Sequence, residues 1–600
     1  MKLDRRRAIG LVGALACTAA SSPTLAAQGG KVAFLHGVAS GDPLHDRVIL
    51  WTRVTPEGQG DASLGTSPID VDWEIGLDAD FRRIVRRGTV TTGAARDFTV
   101  KVDAVGLRAN TGYFYRFRCG TETSPVGRTQ TLPRGSVKDA VIALASCSLY
   151  QVGYFNAYRE IARLERVDLV LHLGDYIYEY GGAPGQLGMT IGAEIGRIPT
   201  PLNEAVTLAD YRERHACYRL DPDLQAAHAR APWICVWDDH ESANDGWREG
   251  AQNHQAGEGD WTTRRMASVR AYYEWIPIRE PQPGQPAEAI NRTFELGDLA
   301  TLIMLENRFM GRSRQVDLRN PKDVVWQVVD ISGSEPIVLT DAALTKKILS
   351  DAARGQPVPA PYEIRVDADS IRRSIADPTR SVFGAAQEHW LEQGIASSVK
   401  AGKPWQLIGN QVVMARTVGT DIVKFMGKER WERALQTMSP QLRPWVQQLA
   451  TLPRDVPFEF DGWDSYPAAR ARMDAIFSQS GAHPIVLSGD SHAYWINELS
   501  GAGRRRVAAE IGTTAITSSS LSNMLGDVDL GPAFTEASDE VIFCDLLTKG
   551  FTLVTLTRDE ARVDLIGVSN VRSRDYKAFK LNSWRLRPES GGGFKPIEAI

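Results

Sequence analysis

The stretch Val167–Glu179 reads VDLVLHLGDYIYE, and it decides the fold class. An apolar run typical of a buried strand ends here abruptly in Gly174 and Asp175. Five further apolar runs end in polar residues in the same way: 141–145, 233–237, 299–305, 405–409 and 485–489. In α/β folds the carboxyl ends of the strands line the ligand crevice. The pattern therefore predicts an α/β domain in which six strands deliver polar side chains to one edge.

The segment before this domain has a different pattern. Apolar and polar residues alternate in short runs such as Val71–Ile75 and Phe98–Val102, and turn residues separate the runs. This pattern predicts a small all-β sandwich. The predicted boundaries are 32–132 for the sandwich, 138–568 for the α/β domain with expanded segments near 181–203 and 320–380, and 569–600 for a C-terminal tail.

Composition and charge are those of an ordinary globular protein. Of the 600 residues, 43% are hydrophobic and 24% are charged, and the formal net charge is −4. No basic block is visible beyond the N-terminus, so a nucleic acid is not expected as a specific partner. No later stretch reaches ~18 uninterrupted apolar residues, so no transmembrane segment is expected. The six cysteines are too few for a disulfide scaffold.

Residues 1–27 are predicted to be a signal peptide. The arginines of Arg5–Arg7 precede the apolar run 9–20, and small residues around Ala26 offer a cleavage site. Paired arginines before a modestly apolar run are typical of a twin-arginine signal, which predicts export machinery as a partner and a periplasmic or secreted location. Two alternatives stay open: an ordinary secretory signal, and lipidation at Cys17.

Four of the strand ends carry residue types that bind metals. They are Cys147, then Asp175 with Tyr178, then Asp239 with His240, and then Asp490 with His492. Together they offer thiolate, carboxylate, phenolate and imidazole, and a phenolate suits ferric iron. Each has a plain structural explanation when taken alone, and Cys147 alone is better explained as core filler. Four separate strand ends of this kind nevertheless predict one metal site.

Three motifs resemble those of a known family. They are Gly174-Asp175-x-x-Tyr178, Asp238-Asp239-His240-Glu241 and Ser488-Gly489-Asp490-Ser491-His492. Together with segments such as Ala271–Arg279 and Trp463–Pro467, they resemble the alkaline phosphatase D (PhoD-like) family of metallophosphoesterases. The resemblance extends from about Phe34 to Val568.

That resemblance implies a fold and a set of metals. The implied fold is a four-layered α/β/β/α metallophosphatase sandwich, preceded by an immunoglobulin-like sandwich. The implied metals are Fe³⁺ and Ca²⁺, and not zinc. By motif, the iron ligands would be Cys147, Asp175, Tyr178 and His492, with Asp175 as a bridge, and the calcium ligands would be Asp239 and Asp490, with Asn244 just beyond the motif as a further candidate.

Three residues are predicted to act on the substrate. His240 is a candidate for protonating the leaving group or for contacting phosphate, since its neighbour in the sequence is a predicted ligand. Arg308 is a candidate phosphate clamp, with a structural ion pair as the alternative. Asn410 is a candidate for substrate binding. Relatives usually have Asp-Thr-Arg where this chain has Glu306-Asn307-Arg308.

The function expected from these residues is that of an exported metal-dependent phosphoesterase, which hydrolyses phosphomonoesters, phosphodiesters or both. A phospholipase D-type phosphodiesterase is the alternative within the enzyme class. A non-catalytic, metal-stabilised exported binding protein is the alternative outside it. The sequence does not choose between the ester classes, because that preference depends on the shape of the pocket.

Replacement of Arg5, Arg6 and Arg7 by lysine should stop export, because the folded-protein route reads paired arginines. Fractionation of an expressing host would show the triple variant retained inside the cell. N-terminal sequencing of the exported unaltered chain should begin near Ala27 or Gln28. Normal export of the variant would contradict the twin-arginine assignment, and a lipid on Cys17 would favour the lipidation alternative.

Overall fold

Two β-sheets pack face to face at the centre of the fold. The structure, a computed structural model, describes residues 32–56, 68–438, 443–450, 452–453, 456–479, 481–503 and 506–600. The predicted signal peptide and Cys17 lie outside these residues. The ten-stranded sheet has the order Glu598–Ala599, Ala578–Leu586, Ala561–Val568, Lys549–Thr557, Asp139–Ala145, Leu169–His172, Trp233–Cys235, Val38–Gly41, Arg47–Arg53 and Thr99–Val105. The seven-stranded sheet has the order Arg292–Leu296, Ala300–Met304, Trp405–Gly409, Pro484–Ser488, Arg506–Gly512, Tyr494–Ser500 and Val541–Asp545.

The alternation of side chains along one strand shows how the layers are stacked. In strand Ala300–Met304, Leu302 and Met304 belong to the hydrophobic core that also contains the ten-stranded sheet. Ile303 between them belongs to a second core, together with Leu391 of a helix. Because successive side chains of a strand point to opposite faces, one face of this sheet covers the other sheet and the opposite face is covered by helices. Helices also pack on the ten-stranded sheet, which confirms the predicted α/β/β/α sandwich.

Several helices begin where the sequence provides a capping side chain. For example, Asp221 accepts hydrogen bonds from the backbone N–H groups of Asp223 (2.9 Å) and Leu224 (3.2 Å), and Pro222 occupies the first helical position. No helix within the described ranges is long and apolar enough to cross a bilayer. The α-helices are Asn156–Arg163, Met189–Ile195, Leu208–Arg219, Pro222–Arg230, Trp261–Trp275, Ala342–Ala353, Ala368–Ile375, Ala385–Lys400, Ile422–Met426, Lys428–Thr437, Arg443–Leu449, Pro467–Gln479, Leu521–Met524 and Gly531–Ala537.

The N-terminal all-β region shares one of its sheets with the rest of the fold. Three of its strands, Val38–Gly41, Arg47–Arg53 and Thr99–Val105, belong to the ten-stranded sheet. They join the rest of that sheet where Gly41 pairs with Trp233. Leu50 and Val100 of this layer share a core with Val71 and Tyr115 of a facing sheet. The facing sheet contains Gly127–Gln130, Gly112–Cys119, Ile69–Gly76 and Ile84–Thr92, with Glu122–Thr123 beside Gly112–Cys119.

The segments predicted as expansions and as a tail have regular structure. Residues 181–203 contain one short helix. Residues 320–380 contain two helices and a three-stranded sheet of Ile337–Val338, Trp326–Asp330 and Tyr362–Val366. Residues 569–600, predicted as a tail, add two strands to the edge of the ten-stranded sheet. The sheet therefore extends past residue 568.

The six apolar runs divide equally between the two sheets. Within each sheet the three strands concerned are adjacent and parallel. The polar residues that follow them therefore leave each sheet at a single edge. The prediction of one common edge is corrected to two edges, one from each packed sheet.

Candidate metal centre

Loops from both sheets bring the predicted ligands together in an uncommon backbone conformation. Cys147, Asp175, Asp490 and His492 have φ angles of 59°, 56°, 59° and 59°. Residues with a Cβ atom avoid this left-handed region, and a strained residue of this kind costs ~1–3 kcal/mol. Strain of this kind accumulates at functional sites, where the surrounding structure holds it in place.

Two glycines allow the loops to approach closely. A Cβ atom on Gly174, whose φ is +106°, would lie 2.4 Å from Cβ of Asp238. A Cβ atom on Gly489 would lie 2.4 Å from Oγ of Ser146, which belongs to a loop of the other sheet. Both contacts are too short for any side chain, so the closeness of these loops requires glycine at both positions.

The four predicted iron ligands form one group. Ligand atoms of Cys147, Asp175 and His492 all lie within 4.8 Å of one another. The Tyr178 hydroxyl donates to Oδ2 of Asp175 (2.9 Å) and lies 3.3 Å from Nε2 of His492. Nδ1 of His492 is 2.9 Å from the Ser519 carbonyl oxygen, so Nδ1 carries the proton and Nε2 presents its lone pair to the group. Burial lowers the pKa of His492 to about 3, which keeps the ring neutral.

A second group adjoins the first. Carboxylate oxygens of Asp175, Asp238, Asp239 and Asp490 lie within 4.8 Å of one another, and Asp175 and Asp239 also group with His240. Asp175 belongs to both the first and the second group. Its carboxylate is therefore common to the two groups.

The polar atoms of the centre fit a metal site. Burial raises the pKa of the Cys147 thiol and of the Tyr178 phenol well above their usual ranges. Burial likewise raises the pKa of Asp175 well above its usual range. Oδ1 of Asp175 and Oδ2 of Asp238 are buried and have no hydrogen-bond partner among the described residues. Metal cations would give these oxygens partners and would favour the charged forms of all these groups.

His240 is held in place by a buried carboxylate. Its Nδ1 lies 2.8 Å from Oε2 of Glu179, and its ring stacks on Tyr178 with centroids 4.2 Å apart. Burial favours the neutral ring, but the negative charges of Asp239, Glu179 and Asp175 outweigh burial and raise the pKa of His240 well above its usual range. The imidazolium form is therefore favoured beside the ligand groups.

Arg308 is mainly engaged in ion pairs. Its Nε donates to Asp238, and its Nη1 lies 2.6 Å from Oδ2 of Asp461. Its Nη2 lies 3.9 Å from Oδ1 of Asp239 and 4.0 Å from Oδ1 of Asp490, and it has no hydrogen-bond partner among the described residues. The alternative role of Arg308, a structural ion pair, therefore applies to Nε and Nη1, while Nη2 faces the carboxylates of the centre.

The structure does not support substrate binding by Asn410. This residue is buried, and its Nδ2 donates to the Val412 carbonyl oxygen. Its Oδ1 accepts hydrogen bonds from Asn307 (2.6 Å) and Trp463 (3.3 Å). Both polar atoms are thus bound to neighbouring loops, and the physical effect of the amide is to join those loops.

Asn244 lies on the Glu179 side of His240. Its backbone N–H donates to Oε1 of Glu179 (2.8 Å), and its side-chain Nδ2 donates to Gln252 (3.1 Å). Its Oδ1 accepts a long hydrogen bond of 3.5 Å from Tyr180. The amide oxygen therefore retains acceptor capacity, as a calcium ligand would require.

Sequence reasoning missed the carboxylates of Asp238, Asp245 and Asp461. Asp238 joins the second group, and Asp239, Asp245 and Asp461 form a third group within the same 4.8 Å limit. Asp238 belongs to the Asp-Asp-His-Glu motif, so its residue type was a signal. Asp461 has no comparable local motif. It is linked to the centre by its ion pair with Arg308, which is distant in the sequence.

Sequence reasoning also missed Glu241, a clamp between two loops. Its carboxylate accepts hydrogen bonds from the backbone N–H groups of Asp175 (3.2 Å), Tyr176 (2.6 Å) and Asp238 (2.8 Å). These bonds join the loops that follow two neighbouring strands. The last position of the Asp-Asp-His-Glu motif therefore sets the spacing of the ligands without entering the ligand groups.

Comparisons with known proteins identify relatives over most of the chain. Residues 142–565 match the family described as PhoD-like phosphatase, and residues 18–133 match PhoD-like phosphatase, N-terminal domain. Alkaline phosphatase D of Bacillus subtilis (strain 168) is 34% identical over 471 residues, which cover 78% of this chain and 65% of that protein. A solved structure described as "Structure of PhoD" has a TM-score of 0.70 at 28% identity, over 94% of this chain and 92% of that chain. The match to the Bacillus protein thus spans just under two thirds of its length.

A Cys147→Ser variant should lose metal and not merely stability. Both a ligand role and a core role predict a stability loss of ~1–2 kcal/mol. Only a ligand role predicts a fall in iron per protein and a fall in turnover of ~10-fold or more, because a hydroxyl binds ferric iron poorly. Metal analysis, turnover per folded molecule and a melting curve measure these effects.

The matched control for this variant is Cys544→Ser. Cys544 is also buried, and it lies outside the groups that could hold a metal in the described residues. This control should melt at a lower temperature and keep its iron. Unchanged iron and turnover in Cys147→Ser would remove Cys147 from the centre.

Proposed function

We propose, on the premise that this chain belongs to the PhoD-like phosphatase family, that it is a metal-dependent phosphoesterase. The observation that carries the proposal is the position of Asp175, whose carboxylate belongs to two adjoining ligand groups. Two metal ions bridged in this way would stabilise both the entering and the leaving oxygen of a phosphoryl transfer.

The two ligand groups suit different metals. We infer Fe³⁺ for the group of Cys147, Asp175, Tyr178 and His492, because it combines a thiol, a phenol and an imidazole with a carboxylate. We infer Ca²⁺ for the carboxylates of Asp239 and Asp490, with the Asn244 amide as a further oxygen ligand, since calcium prefers oxygen. Metal binding by the chain has the support of both donor sets, and the identities of the two metals are part of the proposal.

His240 is proposed to protonate the leaving group. Its Nδ1 is held by Glu179, so its Nε2 is the nitrogen that remains for proton transfer. The buried Glu179 carboxylate, which is not a proposed metal ligand, favours the protonated ring, so that the ring holds a proton to give. Glu179 is itself fixed by Asn253, whose Nδ2 donates to its Oε1 (2.8 Å).

Arg308 is proposed to have two effects. Its Nε and Nη1 neutralise Asp238 and Asp461, which lowers the repulsion within the acidic centre. Its unpartnered Nη2 is available to a phosphoryl oxygen that approaches Asp239 and Asp490. The sequence predicted that the guanidinium fork of Arg308 would bind phosphate. In the structure only Nη2 is available for that contact.

The centre is accessible on one side. Asp490, His492 and Asn244 are half-buried, whereas Cys147 and Asp175 are buried. We propose small phosphomonoesters and phosphodiesters as the substrate classes that enter there. We also propose that the protein acts after export, in the periplasm or outside the cell, on the strength of the predicted signal peptide.

Removal of calcium should abolish hydrolysis. With EGTA, turnover of p-nitrophenyl phosphate and bis-p-nitrophenyl phosphate should fall by ~100-fold or more, since the charge stabilisation supplied by one metal is lost. Added Ca²⁺ should restore the rate, and added Mg²⁺ is the matched control that should not. Full activity of a zinc-only protein would contradict the metal assignment.

The same assay distinguishes the alternatives. Hydrolysis of a phosphatidylcholine head-group ester without any monoesterase activity would favour a phospholipase D-type phosphodiesterase. Absence of hydrolysis of every ester by protein that carries iron and calcium would favour a non-catalytic binding protein.

A His240→Asn variant should show a loss that depends on the leaving group. Loss of a general acid lowers the rate by ~100-fold or more for a poor leaving group such as glycerol, and much less for p-nitrophenolate, which needs no proton. Turnover of glycerol phosphate and of p-nitrophenyl phosphate measures the difference. His254→Asn is the control, because His254 interacts with Glu258 and lies outside the ligand groups found in the described residues. An equal loss on both esters would remove the proton-donor role.

A further inference from the structure

Arg219 is a buried cation without a counter-ion. It ends helix Leu208–Arg219, and its exposed fraction is 0%. Its Nε, Nη1 and Nη2 have no hydrogen-bond partner within 3.5 Å among the described residues, and the nearby Tyr176 phenol, whose pKa burial raises against the charge of Arg219, carries no charge. Arginine does not lose its proton in proteins, so the charge persists in the buried state. A buried charge of this kind requires a compensating partner.

Two other buried arginines of the chain have acidic partners, and a third, Arg214, donates to backbone carbonyl oxygens. Arg470 lies 2.9 Å from Asp474 and 3.3 Å from Glu540. Arg264 lies 2.7 Å from Glu204 and 2.8 Å from Glu258. Arg219 has no acidic side chain in the equivalent position. We therefore expect its counter-ion outside the side chains of the described residues.

The groups around Arg219 are donors or rings. Its guanidinium carbon lies 4.3 Å above the Trp51 ring. His215 lies four residues before Arg219 in the same helix, so the two side chains are neighbours. Burial, with the charge of Arg219 as the next cause, lowers the pKa of His215 to about 3, which keeps this ring neutral. Burial similarly lowers the pKa of His228 well below its usual value, with Arg219 as the next cause. Burial raises the pKa of Tyr115, and the charge of Arg219 opposes that rise.

Two of these groups have an unpartnered nitrogen as well. Nδ1 of His215 and Nδ1 of His228 are buried and have no hydrogen-bond partner in the described part of the chain. Hydroxyl groups and neutral imidazoles can each donate one hydrogen bond. The surroundings of Arg219 are therefore rich in donors and poor in negative charge.

We propose that a small monovalent anion, chloride in ordinary buffers, binds at Arg219. A halide accepts hydrogen bonds from several donors at once and neutralises the guanidinium, whereas a water molecule leaves the charge uncompensated. Trp51 and Tyr115 come from the N-terminal region, and Arg219 comes from the α/β domain. The anion would therefore link the two regions and stabilise their packing, independently of catalysis at the metal centre.

Crystals grown with bromide in place of chloride test the site directly. Anomalous diffraction at the bromine edge should show a peak within hydrogen-bonding distance of the Arg219 guanidinium. A position that holds only water, or no density at all, would overturn the proposal. This measurement uses the unaltered protein, so it does not depend on the folding of any variant.

Thermal melting provides a second, independent test. At constant ionic strength, replacement of methanesulfonate by chloride should raise Tm by ~1 °C or more per tenfold increase in chloride above Kd. Arg219→Gln should abolish this dependence. Arg470→Gln is the matched control: it also removes a buried arginine, and it should lower Tm while the chloride dependence remains. Equal melting of the unaltered protein in both salts would overturn the proposal.

Discussion

The structure depends on holding like charges together at a buried point. Asp175, Asp238, Asp239 and Asp490 place carboxylate oxygens within 4.8 Å of one another. Such a cluster repels itself unless cations lie beside it. Arg308 supplies one positive charge, and the proposed metals would supply the rest. The strained loop residues and the Glu241 clamp are the means by which the chain maintains this arrangement.

The packing of two sheets explains why the ligands meet. Each sheet contributes three adjacent parallel strands, whose polar ends leave at one edge. Face-to-face packing then brings loops of one sheet against loops of the other, as the close approach of Gly489 to Ser146 shows. Neither sheet alone carries both Asp175 and His492. The proposed bridge between two metals is therefore a property of the sandwich.

Two buried arginines illustrate opposite electrostatic surroundings within one chain. Arg308 lies among carboxylates, and its charge lowers the repulsion between them. Arg219 lies among neutral rings and hydroxyl groups, with no acidic partner among the described residues. The first cation stabilises a centre that attracts metal ions, and the second creates a place that attracts an anion. The same residue type therefore has opposite consequences, because its neighbours differ.

The sequence alone determined an α/β domain, the all-β region before it, and the residue types at the strand ends, because strand periodicity and short motif spacing are local properties. The hydrogen bond between Tyr178 and Asp175, three residues apart, forms in the structure for this reason. The four-layered α/β/β/α arrangement was implied only by the resemblance to the PhoD-like family. Tertiary structure decided the contacts between residues that are far apart in the sequence. Arg308 pairs with Asp461, 153 residues away, and Asn410 accepts a hydrogen bond from Asn307, 103 residues away. Cys147 shows the limit most clearly, since core filler and metal ligand are equally buried, and only the neighbours that the two packed sheets bring to the thiol distinguish them.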